Sequence, residues 1–166
     1  MLTIRRATPD DAAAIVAIHH LGHVERYVGE RTQEEVVASI NNQDEMYLVA
    51  IEDSSTCVGF AYLVGLEDSN LSVELRQFAI GKPGAGYGRQ LLRHCIAEVF
   101  KARQRNRLWL DVFPDNTPAR RLYASCGFVE EGTLREVYFW KDSFHSTIVM
   151  SMLSSEFRSA GGASTT

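Results

Sequence analysis

In Ile80-Gly81-Lys82-Pro83-Gly84-Ala85-Gly86-Tyr87-Gly88-Arg89, three glycines at alternate positions separate an apolar run from an amphipathic stretch. Without Cβ atoms, successive backbone N–H groups can turn toward one point, and a helix starting at Tyr87 adds the partial positive charge of its N-terminus. That junction suits a phosphate-bearing ligand, although a plain helix-capping turn accounts for the glycines equally well. Spelling excludes two nucleotide loops. A Walker loop ends in Gly-Lys-Ser/Thr, whereas Arg89-Gln90 follow Gly88. A dinucleotide fingerprint needs G-x-G-x-x-G, and Leu91 stands where its last glycine belongs.

The elements that must hold this loop follow from periodicity. After a short strand, Leu2 to Arg6, the run Thr8-Pro9-Asp10-Asp11 opens a helix reaching about His20. Thr32-Gln33-Glu34-Glu35 has capping-box spacing and opens a second. Met46 to Ile51, Cys57 to Leu66 and Leu71 to Ile80 are apolar-rich runs joined by polar turns, which predicts an antiparallel meander. A long helix from Tyr87 to about Arg103 then leads to a buried strand at Arg107 to Phe113. Such a crossover makes that strand parallel to the one before the glycine loop.

With 166 residues and a net charge of -4, the chain has room for one full core and lacks the basic excess of a general nucleic-acid binder. Cys57, Cys95 and Cys126 lie in apolar segments without metal-ligand spacing, which points to a reducing cytoplasm. No leader-like or membrane-spanning run is present, so a soluble protein without membrane attachment is expected. His19 and His23 have i,i+4 spacing, but no glutamate completes a metal-binding helix motif, and no metal is expected. From Ser154 to Thr166 the apolar periodicity fades into a Ser/Ala/Gly/Thr-rich segment, expected to be a flexible tail after a single domain spanning 1–153.

A second motif is more specific. Asn116, Ala119, Leu122, Tyr123 and Gly127-Phe128 stand at the spacing N-x-x-A-x-x-L-Y-x-x-x-G-F, on a short helix opened by Thr117-Pro118 and closed by Gly127. With the upstream glycine loop, this resembles the GNAT superfamily of N-acetyltransferases. Glu131-Gly132-Thr133-Leu134-Arg135 and Val149 to Leu153 extend the likeness toward the branch containing RimJ/RimL-type protein N-terminal acetyltransferases. The family's phosphate loop usually begins with Gln or Arg where this chain has Pro83.

That resemblance implies an α/β fold with a mixed, mostly antiparallel sheet of about seven strands flanked by helices, its central parallel pair splayed apart. It implies acetyl-CoA as cosubstrate and direct transfer to a primary amine, on either a small molecule or a peptide N-terminus. Backbone of Phe78, Ala79 and Ile80 would pair with pantetheine amides. The loop Gly84, Ala85, Gly86, Tyr87 and Gly88 would hold the diphosphate, helped by Lys82 or Arg89. Asn116, Ala119 and Arg120 complete the expected cofactor contacts, with Arg120 and Arg121 near the 3′-phosphate.

Two residues carry the implied proton transfers. Tyr123, a phenol of pKa near 10, can protonate a leaving thiolate of pKa about 8.5. Glu74 stands where several superfamily members carry a glutamate base, and simple alternation puts it on one face with Arg76, Phe78 and Ile80. An ion pair with Arg76 is the competing reading. Cys126 is a weaker nucleophile candidate because no histidine lies near it in sequence. The acceptor walls are expected from Glu25, Arg26 and Tyr27 on one side and the hairpin turn carrying Trp140 on the other. The turn's aromatics also fit a homodimer surface. A non-catalytic acyl-CoA sensor is the alternative function.

Overall fold

A computed structural model describes residues 1–161. Seven strands form one sheet in the order β1-β2-β3-β4-β5-β7-β6. They are β1 (Leu2–Arg6), β2 (Glu45–Glu52), β3 (Thr56–Val64), β4 (Ser72–Ile80), β5 (Arg107–Val112), β6 (Val129–Trp140) and β7 (Ser143–Leu153). All neighbours are antiparallel except β4 and β5, the pair joined through a helical crossover. Strand β6 forms one edge and is exposed along its length.

The helices are α1 (Ala12–His19), α2 (Gly22–Glu25), α3 (Gln33–Ile40), α4 (Tyr87–Ala97), α5 (Thr117–Ser125) and α6 (Ser154–Gly161). Each face of the central sheet has its own core. Leu91, Leu92, Cys95 and Ile96 of α4 bury against Met46, Leu48, Leu63 and Leu108 on one side. Ile15 and Ile18 of α1 and Val36 of α3 meet Val49, Phe60 and Ala79 on the other.

Several boundaries differ from those the periodicity predicts. The first helix begins with a separate 3-10 turn at Pro9–Asp11, where the Asp11 carboxylate accepts from the Thr8 N–H at 2.7 Å. The Arg5 guanidinium, 2.7 Å away, holds that carboxyl down at about 2. The long helix loses its α geometry after Ala97 and continues through Ala102 as a π turn, with Arg103 N–H donating to Glu98 O at 3.0 Å. The widened turn brings the adjacent Val99 and Phe100 into the core together. The expectation of a flexible tail from Ser154 is corrected over its first part, because Ser154–Gly161 is helical. Phe157 stacks on Phe100 with ring centroids 5.3 Å apart, and this contact anchors α6. The rest of that tail, 162–166, lies outside the described residues.

Candidate active site

The parallel pairing of β4 with β5 stops after Ser72↔Arg107, Val73↔Leu108 and Glu74↔Trp109. Beyond it the strands splay. On the β3 side, Gly81 N–H donates to Val58 O at 2.8 Å, and Ile80↔Gly59 and Phe78↔Ala61 continue the same register. Antiparallel alternation then makes these two pairs the non-bonded kind, so the N–H and C=O of Phe78 and Ile80 point into the gap beside β5. An extended ligand carrying amides can satisfy them. At one of them, the Ile80 carbonyl, His23 Nε2 sits 2.9 Å away.

Along this gap runs a cavity of about 760 Å³. Phe78, Ala79, Ile80, Lys82, Gly84, Gly86, Tyr87, Gly88, Arg89, Asn116 and Ala119 line it, so most of the expected cofactor residues converge there. Gly84 and Gly86 adopt φ of +90° and +77°, with no heavy atom within 4 Å of where a Cβ would stand. This bare, left-handed backbone ends at the first turn of α4, whose N–H groups have no carbonyl one turn back to receive them. Gly88 is needed for a different reason. A Cβ there would come within 3.3 Å of Leu122 and 3.5 Å of Ile80, so its absence lets α4 sit close to α5 and β4. The open cradle, the strand-edge amides of Phe78 and Ile80 and the cavity that both line fit a diphosphate attached to an amide-bearing arm.

Two expected cofactor residues fall outside. Ala85 is not among the lining residues. Arg120 is turned away, because its guanidinium donates to Pro114 O at 3.0 Å and to Glu130 Oε1 at 2.8 Å. The exposed-face reading of its charge, with partners inside the fold, replaces the phosphate reading.

A second cavity of about 390 Å³ meets the first, sharing Arg26, Tyr27, Val28, Phe78 and Asn116 with it. Its walls hold Glu25, Arg26, Tyr27 and Trp140, the residues expected to face an acceptor. Tyr123 also lines this second cavity. The ring is 6% exposed and lies between Phe78, at 6.1 Å, and Phe128, at 5.8 Å. Burial, followed by the charges of Cys95 and Asp111, pushes the phenol above its ordinary 10, so it stays protonated. Asn116 serves α5 as its cap, accepting from Ala119 N–H at 3.4 Å.

Glu74 requires a correction. The pairing of β3 with β4 shifts between Tyr62↔Gln77 and Leu63↔Leu75, leaving Arg76 as the extra residue of a bulge. Val73 and Leu75 before it face the same core as Phe78 and Ile80 after it, whereas Ala79 faces the other. Glu74 therefore lies opposite Phe78 and Ile80, not beside them. It is absent from the lining of both cavities, and its Oε2 accepts from Arg76 Nε at 3.1 Å and Nη2 at 2.5 Å.

Besides Glu25, the acceptor cavity is lined by a carboxylate that sequence reasoning passed over, Asp111 on β5. Thr147 of β7 donates to it at 2.9 Å. Burial, then the Asp111 charge, raises the neighbouring Tyr138 phenol. One signal was available: Asp111 is the lone acid in the apolar strand Leu108-Trp109-Leu110-Asp111-Val112. The aromatic lining contributed by Phe113 and Tyr138 was also unforeseen. The two histidines at i,i+4 spacing part ways, since His19 is fully buried with its ring edge against Phe60 while His23 is exposed at Ile80 O. Among the described residues, no helix is long and apolar enough to cross a membrane.

Known proteins match this architecture. The spermidine N(1)-acetyltransferase of Vibrio cholerae is 26% identical over 152 residues, covering 84% of this chain and 87% of that protein. The prophage-derived N-acetyltransferase YokL of Bacillus subtilis is 25% identical over 117 residues, covering 69% and 66%. In fold, the chain resembles the spermidine N-acetyltransferase from Vibrio cholerae solved with CoA and spermine, with a TM-score of 0.82 at 24% identity over 95% of this chain and 98% of the other. The expected RimJ/RimL branch is not specifically supported by these likenesses, two of which are to spermidine acetyltransferases. Residues 1–129 match the profile of the acetyltransferase (GNAT) domain, and the chain belongs to that family.

Proposed function

We propose that the chain transfers acetyl from acetyl-CoA to a primary amine of a small polyamine-like cation. The observation carrying this reading is the charge balance of the acceptor cavity. Its two guanidinium groups are neutralised, Arg26 by Asp115 and Arg76 by Glu74, while Asp111 and Glu25 supply carboxylates without a cationic partner of their own among the described residues. Tyr27, Phe113, Tyr138 and Trp140 line the same cavity. Arg26 already lies over the Tyr27 ring at 5.3 Å and Lys141 Nζ over Trp140 at 4.5 Å, so Phe113 and Tyr138 are the rings left to attract an alkylammonium. A flexible cation with several amines can set one nitrogen at the thioester and leave another against this aromatic and acidic wall. The spermidine acetyltransferase relatives agree with that choice.

In the reaction, an unprotonated amine attacks the thioester carbonyl while free N–H groups of the splayed β4 edge receive the developing oxyanion. The nitrogen becomes strongly acidic as its bond to carbon forms, and Asp111 takes its proton. Tyr123 donates to the departing thiolate. No bond to the enzyme forms at any stage.

Thiol release measured against an acceptor panel tests the reading. Spermidine and spermine are expected to exceed peptides with free N-termini by at least about tenfold in kcat/KM; the reverse order would assign the site to peptide N-termini. No release with any amine, despite CoA binding, would support a sensor. Glu74→Gln is expected to leave kcat within about twofold but raise the polyamine KM several-fold, because the freed Arg76 charge repels the acceptor. A kcat collapse with unchanged KM would return Glu74 to the proton transfer.

A further inference from the structure

The diphosphate loop is closed at both ends by a single carboxylate. Glu52, at the end of β2, accepts from Lys82 Nζ at 2.8 Å and 3.0 Å through its two oxygens, and the Tyr87 hydroxyl donates to the same group. Lys82 precedes Pro83-Gly84-Ala85-Gly86, and Tyr87 follows it. The four residues between these anchors include two glycines in the left-handed region, which without restraint have many alternatives to the cradle conformation. Pro83 fixes one φ angle but supplies no donor from either side chain or backbone.

We propose that Glu52 is a positioning residue for acetyl-CoA: it clasps Lys82 and Tyr87 so that the glycine backbone between them is preset to receive the diphosphate. This rests on the acetyl-CoA reading of the cavity and adds a role for a residue outside both sequence motifs. The clasp also resolves a charge conflict. A carboxylate beside a diphosphate is unfavourable when alone, but Lys82 neutralises it, and an ammonium has three donors. Two are turned to Glu52, and the third remains for the ligand. Glu52 is shielded, with a side chain 18% exposed, while Lys82 at 58% reaches outward, as this division of labour requires. The arrangement does by preorganisation what the family's usual Gln or Arg at the Pro83 position does by contact.

Glu52→Gln keeps the size of the side chain and removes the charge that holds Lys82. Titration calorimetry with CoA should show Kd raised about tenfold, while pantetheine, which has no diphosphate, binds with unchanged affinity. Hydrogen exchange in the free variant should accelerate at 84–88 and stay unchanged in the sheet. Tyr87→Phe should give a smaller loss in the same direction, which guards against a folding defect specific to the first variant. Unchanged or tighter CoA binding in Glu52→Gln, or equal losses for CoA and pantetheine, would overturn the clasp. Failure of the wild-type protein to bind CoA at all would instead overturn the cofactor reading beneath it.

Discussion

Tyr123→Phe is expected to lower kcat by about 10²- to 10³-fold, the range of a lost general acid, with the KM for acetyl-CoA held within about twofold. The packing argument makes the substitution clean. The ring contacts to Phe78 and Phe128 need only the aromatic plane, and no hydrogen bond to the Tyr123 hydroxyl is present among the described residues. Removing the oxygen therefore breaks nothing in the free fold, and the melting temperature should barely move. The pH dependence gives the sharper test. Because burial raises this phenol above 10, its proton is in place throughout the neutral and mildly alkaline range. The ratio of wild-type to variant kcat should therefore be flat between about pH 6 and 9.5. A ratio that grows with pH would mean that tyrosinate is the active form and that the residue works as a base. Equal turnover in both proteins would pass the protonation of the thiolate to water.

How far the sequence reaches is set by how local each signal is. The glycine loop is legible because a positive φ and an exposed backbone need glycine at particular positions, and Gly84 and Gly86 meet that need within three residues. Likewise, the crossover from β4 through α4 to β5 follows from two changes of period. Glu74 was misplaced because its facing depends on a bulge created by the register of β3 against β4, an agreement between distant segments that leaves no mark in Glu74-Leu75-Arg76-Gln77. Arg120 was misassigned for a related reason. An arginine on a helix near a phosphate site and one bound to Glu130 have the same local spelling, and only the arrival of β6 decides between them. Glu52 shows the extreme case, lying 30 residues from Lys82 and 35 from Tyr87 in the chain yet touching both.

The same dependence on tertiary register makes Asp111 the more demanding prediction. Asp111→Asn preserves shape and lets Thr147 keep a hydrogen-bond acceptor 2.9 Å away, so the fold should persist. It removes the carboxylate that β5 contributes to the lining of the acceptor cavity. Turnover of a polyamine at pH 7.5 should fall by about 10²-fold or more. The loss should shrink as the pH rises toward about 10, the range in which an alkylammonium gives up its proton to water and solvent hydroxide becomes a competing acceptor. The sign separates two roles that a single-pH measurement would merge. An Asp111 that only attracts the cation gives a higher acceptor KM and little change in kcat. One that collects the proton as the carbon–nitrogen bond forms gives a lower kcat recovered by alkali. A kcat that stays low at every pH would place the essential base elsewhere, and Glu74 acting through water would then be the group to test.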